Sequence, residues 1–486
     1  MVAITAVGAY APRFRITAEA FREAWGQFQA PGVNEKAVPG ADEDALTMAS
    51  EAAVRALDAA GLEGEAITWL GFGTSNPPLE EGDLTARLGA MLAVPDDAPR
   101  QVFAGSTRAG TRALRAGTDA IAAEGGRGLI VAADAPRGDP DDAIDHAAGA
   151  GAAAFVVAPE GPAEIVDRAE YAAPYPGTRF RQYGARSTEG LEITQYDRQA
   201  FTETIAGAVG GLETDPEPDA AAIQAPDGKL PYRAAGAAGV GADEIRACAT
   251  VHDLGDLGAA SVPVSLTRAL AEGCASILAV SHGSGAGADA FVLDATADVP
   301  TSTALDRGGE DDAALSYAEY LRQRGVVTSG PPSGGGAYVS VPSWRRSLPQ
   351  RYRLVAGRCV ECGALSFPPE GACGECGALA DYDPIELAGE GTIEAVTTIS
   401  QGGAPPEFAE QQAQAGDYAA AIVALGATDE DESAGGERDA VSVPAMGTDA
   451  APETFAVGDR VETTIRRIYT QEGVTRYGFK IRPAGD

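Results

Sequence analysis

Four cysteines carry the strongest chemical pattern in the chain. Cys359-Val-Glu-Cys362 is followed, after ten residues, by Cys373-Gly-Glu-Cys376. Two Cys-x-x-Cys pairs at this distance supply four thiolates for one tetrahedral metal, and zinc is the ion such a set suits. A glycine follows each pair (Gly363, Gly377), permitting the tight turn that points backbone amides at the sulfurs. Four protein ligands leave no open position on the metal, so the expected role is structural. The other two cysteines, Cys248 and Cys274, lie in apolar stretches and read as buried core residues. This usage suits a reducing interior.

Basic residues form two clusters. Arg345, Arg346, Arg351, Arg353 and Arg358 run into the first cysteine pair. Guanidinium forks match phosphate oxygens, which makes Arg351 and Arg353 candidate phosphate ligands; a solvated, salt-bridged connector is the plainer reading. Arg466, Arg467, Arg476, Lys480 and Arg482 fit one hairpin with an ordinary polar face. The three histidines, His146, His252 and His282, are expected to be structural. His252, four residues before Asp256, is a fallback candidate for a general base.

The elements that must position these groups repeat. Gly128-Leu-Ile-Val-Ala-Ala-Asp134 and the stretch from Gly149 through Phe155 are echoed by Ile277–His282 and the stretch from Gly285 through Phe291. Each reads as an apolar strand, a Gly-rich turn and a second strand, preceded by an Ala-rich helix at 109–124 or 259–272. Earlier strands fall near 66–74 and 219–225, with helices at 43–60 and 195–210. Two related α/β halves result, 1–160 and 161–330, packed face to face. The Gly-rich turns lack the strand–loop–helix and downstream acid of a dinucleotide site. A loose segment follows at 296–313, then an amphipathic stretch, Leu315–Arg324, and a Gly/Pro-rich run at 328–336 that leads into a connector, 331–357. The cysteine knuckles occupy 358–380. Short strand-like runs at 391–399, 418–425, 460–468 and 476–481, broken by an acidic insertion at 429–433, suit a small antiparallel barrel over 381–486.

Composition narrows the setting. The formal net charge is -35, from 71 acidic and 36 basic residues, and only Lys36, Lys229 and Lys480 are lysines. Acid excess along the whole chain fits a protein kept soluble in concentrated salt, where the Debye length falls to roughly 3 Å. A cytoplasm rich in salt, as halophilic archaea maintain, is the expected location. A duplex nucleic-acid partner is disfavoured, because its backbone demands a basic footprint. No apolar run reaches the roughly 18 residues needed to span a bilayer, and Met1–Tyr10 lacks the charged start and cleavage site of a signal peptide.

Over about residues 1–330 the chain resembles the thiolase superfamily and, within it, hydroxymethylglutaryl-CoA synthases of the archaeal type. Phe103-Ala-Gly-Ser-Thr-Arg-Ala-Gly-Thr-Arg-Ala-Leu114 resembles the segment of the nucleophilic cysteine. Ala222-Ile-Gln-Ala-Pro-Asp-Gly-Lys-Leu-Pro231 resembles the segment of the catalytic histidine, and Gly255-Asp-Leu-Gly-Ala-Ala-Ser261 the Gly-Asn segment. The resemblance puts Thr107 (beside Ser106) where the family has cysteine, Gln224 where it has histidine, Asp256 where it has asparagine, and Ser75 where it has an acid. It also makes coenzyme A the expected ligand, with Lys229, Arg351 and Arg353 as candidate contacts to its phosphates. Over about the last 140 residues, on the strings Arg358–Gly363, Phe367–Pro369 and Cys373–Gly377, the chain is similar to acyl-CoA-associated proteins with a rubredoxin-like zinc ribbon and an OB-fold, modules that bridge a thiolase and a hydroxymethylglutaryl-CoA synthase.

The implied fold class is therefore α/β, a duplicated thiolase-like fold followed by a zinc ribbon and a small OB-fold β-barrel. A hydroxyl titrates far above a thiol, Gln224 cannot relay a proton, and a carboxylate at Asp256 would repel an enolate-like charge. The leading expectation is a catalytically degenerate protein that binds acyl-CoA or scaffolds a thiolase, as a homodimer or with a catalytically complete thiolase. An active acyltransferase using Thr107, Ser106 or His252 in a rearranged site is the alternative. A nucleic-acid-binding ribbon and barrel is a third, opposed by the acidic insertion and by few stacking aromatics.

Overall fold

The computed structural model describes residues 2–191, 193–306, 313–327, 341–379, 381–400, 402–428, 440–471 and 473–485. The run 328–336 and the acidic insertion 429–433 lie outside the described residues. The chain divides into two compact units, Met1–Tyr320 and Leu321–Asp486.

Apolar runs make the strands of the first unit: β1 (Ala3–Tyr10), β2 (Phe14–Thr17), β3 (Glu35–Val38), β4 (Trp69–Gly73), β5 (Arg100–Phe103), β6 (Gly128–Asp134), β7 (Gly151–Ala158), β8 (Ala163–Pro174), β9 (Ala220–Ile223), β10 (Ser276–His282), β11 (Ala286–Ala295) and β12 (Thr301–Ala304). The main sheet runs β5-β4-β6-β7-β1-β8-β11-β10-β9. The sequence echo is real: β4 and β6 are parallel and β6–β7 antiparallel, as β9 and β10 are parallel and β10–β11 antiparallel. The halves join by hydrogen bonding where β1 meets β8, at Ala3↔Glu164 and Ile4↔Ala163. The helices Ala109–Glu124 and Ser261–Ala271 contribute Leu114, Ile121, Val262 and Leu266 to one core shared with Phe155 and Phe291. Cys248 is in that core; Cys274 packs against it but is only partly buried.

One expectation is corrected. The stretch 296–313 contains β12, which pairs in parallel with β1. Its Thr-Ser-Thr-Ala residues alternate in exposure and carry no apolar run, so the pattern that marks a strand is weak there.

In the second unit, β13 (Val355–Cys359) and β14 (Leu365–Ser366) hold the first cysteine knuckle, and β15 (Tyr382–Ile399) follows the second. Beyond it come β16 (Tyr418–Ala427), β17 (Ala440–Met446), β18 (Arg460–Gln471) and β19 (Val474–Pro483). β15 pairs with both β16 and β18, β16 with β17, and β18 with β19; the bridge Gly447↔Ile481 then closes the ring. A small closed barrel results. Ile393, Val423, Leu425, Val443, Val461 and Ile481 fill the core.

Candidate functional site

In the first unit the chemistry-bearing residues gather at the carboxyl ends of the parallel strands, where α/β sheets place their ligands. Ser75 follows β4, Ser106 and Thr107 follow β5, Asp134 ends β6, Gln224 follows β9 and His282 ends β10. The turn Asp256–Ala260 completes the set. Gly258 has φ +53, and a Cβ there would lie 2.3 Å from Asp134 Oδ2. Only glycine lets this turn press against Asp134.

Thr107 is buried at the start of the helix Ala109–Glu124. Its hydroxyl donates to the His282 carbonyl at 2.6 Å, and its amide reaches Ser284 Oγ at 3.4 Å. No described carboxylate or ring nitrogen is bonded to that hydroxyl. Ser106 Oγ accepts the Arg108 amide at 3.2 Å. Arg108, fully buried, forks onto Asp289 and also reaches Glu170 at 2.6 Å, and Thr111 Oγ1 donates to the same Asp289 at 2.8 Å. This network pins the helix start against β11.

Gln224 donates through Nε2 to the Gly258 carbonyl at 2.9 Å. Its Oε1 is sealed from water with no donor among the described residues. Asp256 is 1% exposed; Oδ1 accepts the Gly258 amide at 2.9 Å and Oδ2 accepts Arg179 Nη1 at 2.6 Å. Arg179 comes from the segment after β8, and its Nη2 is sealed and without a described acceptor. The Ser75 hydroxyl donates to Asp134 Oδ2 at 2.5 Å. Asp134 also accepts from the amides of Ser75, Asn76 and Ala259 and from Thr74 Oγ1. Burial pushes the Asp134 carboxyl up, against the pull of these donors and of Arg179. So saturated, this carboxylate staples β6 to the 258–260 turn and has little left to act as a base.

Two of the histidines can be assigned directly. Burial, with cationic Arg179 and Arg108 nearby, pushes His282 down to about 4; its Nδ1 is bonded to Thr204 Oγ1 at 2.9 Å. His252 lies apart from the cluster, held by the Tyr232 hydroxyl at 2.8 Å and the Gly32 carbonyl at 2.7 Å. Both its ring nitrogens are engaged. Lys229 is exposed just before the short helix Leu230–Arg233.

The second unit holds the metal-ligating group. The sulfurs of Cys359, Cys362, Cys373 and Cys376 all lie within 4.8 Å of one another. The Cys359–Cys376 and Cys362–Cys373 separations are 3.9 and 3.6 Å. Tetrahedral zinc with Zn–S near 2.3 Å implies about 3.8 Å between sulfurs, so the donor set fits that ion. The knuckles are built alike. Gly363 N donates to Cys359 O and Gly377 N to Cys373 O, each at 2.8 Å, with φ of +76 and +71 at the glycines. Backbone amides of Cys376 and Glu375 draw the Cys373 thiol down to about 7, favouring the thiolate that binds metal. Arg353 forks onto Glu386, so its guanidinium is engaged within the unit. Arg351 Nε donates to Ser347 Oγ at 2.9 Å.

Comparison with known proteins fits this geometry. The family described as ChsH2, rubredoxin-like zinc ribbon domain, matches residues 346–381. A solved hydroxymethylglutaryl-CoA synthase complexed with CoA has the same fold over 70% of this chain and 94% of its own, with TM-score 0.60 and 16% identity. The 3-oxoacyl-[acyl-carrier-protein] synthase III of Aquifex aeolicus matches 60% of this chain and 100% of its own, with TM-score 0.54 and 18% identity. The first unit therefore has the thiolase-like condensing-enzyme fold. The hydroxymethylglutaryl-CoA synthase of Archaeoglobus fulgidus is 31% identical over 339 residues, covering 67% of this chain and 98% of that protein. The chain belongs to the hydroxymethylglutaryl-CoA synthase family, with a zinc-ribbon domain fused after the synthase-like body.

Sequence reading missed two residues of the site. Asp134 is foreshadowed only as an acid ending an apolar strand. Arg179 leaves no pattern at all, because a long-range pair with Asp256 has no local signature.

Proposed function

We propose that this chain is a catalytically degenerate hydroxymethylglutaryl-CoA synthase-like protein that binds acyl-CoA, scaffolds a thiolase, or does both. One observation carries the reading. The Thr107 hydroxyl is engaged by a backbone carbonyl, Gln224 by the Gly258 carbonyl, and Asp256 by Arg179. Acyl transfer needs a nucleophile and a group to take its proton, and the hydrogen bonds of Thr107 supply none. One solved protein of the same fold is complexed with CoA, and another with 3-hydroxy-3-methylglutaryl coenzyme A, which supports an acyl-CoA ligand. Lys229, exposed beside the Gln224 segment, is the phosphate contact offered by this unit.

Zinc held by Cys359, Cys362, Cys373 and Cys376 supplies the fold of the ribbon, with every position filled by protein. Self-pairing, or pairing with a catalytically complete thiolase, is the expected assembly, and a salt-rich interior the expected setting. The test is incubation of the purified chain with acetyl-CoA and acetoacetyl-CoA, followed by intact-mass spectrometry and product analysis. No acetyl adduct and no hydroxymethylglutaryl-CoA are expected, with saturable CoA binding retained. An adduct on Thr107, Ser106 or Ser75 would establish an unconventional enzyme instead.

A further inference from the structure

The basic cluster of the β18–β19 hairpin, expected to be an ordinary polar face, is buried at every position but Arg467. Arg466, Arg476 and Lys480 are each 2% exposed or less. In a chain with nearly twice as many acidic as basic residues, this concentration of interior cations is unusual. Arg466 is answered by Asp449 at 3.0 Å. Arg476 is not answered. Its Nε and Nη1 are sealed from water and have no acceptor among the described residues. The Trp344 ring lies over its guanidinium at 4.6 Å, and Trp344 Nε1 is likewise sealed without an acceptor. The helix Leu348–Arg353, packed against β19, carries a second guanidinium, Arg351, over the same strand. Burial holds Arg351 below the usual guanidinium range, against the pull of the Tyr469 phenol, and the positive charge of Arg476 adds to the lowering. No described carboxylate pairs with either arginine.

A buried guanidinium with unfilled donors, and a second, half-buried cation on the neighbouring helix, are costly unless something neutralises them. We propose that Arg476, Arg351 and Trp344 form an oxyanion site of the second unit, which takes a phosphate-type group. A phosphate offers two negative charges to two guanidiniums and several acceptor oxygens to the unfilled N–H groups. A halide would match one charge and none of the fork geometry. The face of Trp344 is already taken by Arg476, so the site reads the anion rather than an attached ring. The site owes nothing to the reading of the first unit. A phosphate can reach it from a nucleotide, including the 3′-phosphoadenosine end of coenzyme A, or as the free ion.

The experiment uses the full chain at constant, high ionic strength, with adenosine 3′,5′-bisphosphate and inorganic phosphate as calorimetric titrants. Neither probe carries a pantetheine arm or a thioester, so a failure of acyl-CoA binding elsewhere leaves the result readable. One site per chain is expected for at least one probe, weakened tenfold or more by Arg476→Gln and by Arg351→Gln. Should Arg476→Gln not fold, Arg351→Gln alone decides. Competition separates the sources: displacement at lower concentration by the bisphosphate marks a nucleotide site, and by inorganic phosphate a free-ion site. Absence of binding by both probes, or affinities unchanged in Arg351→Gln and in folded Arg476→Gln, overturns the proposal.

Discussion

Asp256 and Arg179 illustrate how a buried carboxylate shapes the site around it. A neutral amide at position 256 needs only hydrogen bonds, whereas a carboxylate 1% exposed needs a cation, and Arg179 supplies it at 2.6 Å. Breaking a buried pair strands the surviving charge. Asp256→Asn is therefore expected to lower stability by about 3 kcal/mol in urea unfolding, even though asparagine is nearly isosteric. An unshifted midpoint would mean that Arg179 finds another partner. His282 gives a pH prediction at the same scale. Its imidazole is held near 4 in the folded protein, against about 6.5 when unfolded. The unfolded chain thus binds a proton first. The stability tied to the neutral ring is whole above about pH 6.5 and is lost progressively as pH falls toward 4. Burial lowers His146 too, and adds to the same slope. His282→Gln should flatten the loss between those limits in denaturation curves. A slope identical to that of the parent chain would remove His282 as its source.

At the scale of elements, the repeated hairpins and the cysteine knuckles were legible because each has local chemistry. Apolar runs of strand length ended by glycine gave β6–β7 and β10–β11, and Cys-x-x-Cys-Gly gave both knuckles. What escaped depends on distant partners. β12 is recruited by β1, and β17, absent from the expected barrel strands, is recruited by β16. The burial of Arg476 follows from Trp344 and the helix Leu348–Arg353 laid over β19, and Arg466 is held by Asp449, partners that hairpin composition does not reveal. Two predictions belong here. Cys362→Ser should abolish one equivalent of zinc, read by elemental analysis, and melt the ribbon's amide protection in hydrogen exchange, leaving the first unit protected. Retention of stoichiometric zinc would refute the four-thiolate reading. β5 is the outer strand of the main sheet, hydrogen-bonded only to β4 among the described strands. Such an edge favours pairing with a second chain. Val102→Pro is placed to remove an edge donor, and should shift a dimer toward monomer in sedimentation. A sedimentation coefficient equal to the parent's would exclude β5 as the contact.

The whole molecule is governed by its charge. Acidic residues number 71 and basic residues 36, so even complete pairing leaves about half of the carboxylates without a cation. Salt acts on two populations in opposite directions. It weakens exposed pairs such as Arg460–Glu390 and Arg22–Glu19, each worth about 0–1 kcal/mol at most. It also relieves repulsion among the unpaired carboxylates, and these are more numerous. Interior pairs such as Arg108–Asp289 and Arg179–Asp256 are screened far less. The balance favours relief. The Debye length is about 10 Å at 0.1 M, long enough to couple neighbouring surface carboxylates, and about 3 Å at 1 M, too short to do so. The melting temperature should therefore rise by several degrees between 0.1 and about 2 M potassium chloride, measured by scanning calorimetry. Most of the gain should arrive below about 1 M, where screening changes fastest. A neutral osmolyte stabilises through exclusion from the surface and does not screen. In 0.1 M salt it should therefore leave intact the further rise on adding potassium chloride. A melting temperature flat across the salt range would show that the carboxylates are already neutralised by bound cations or partners, and the salt-adapted reading of the composition would fall with it.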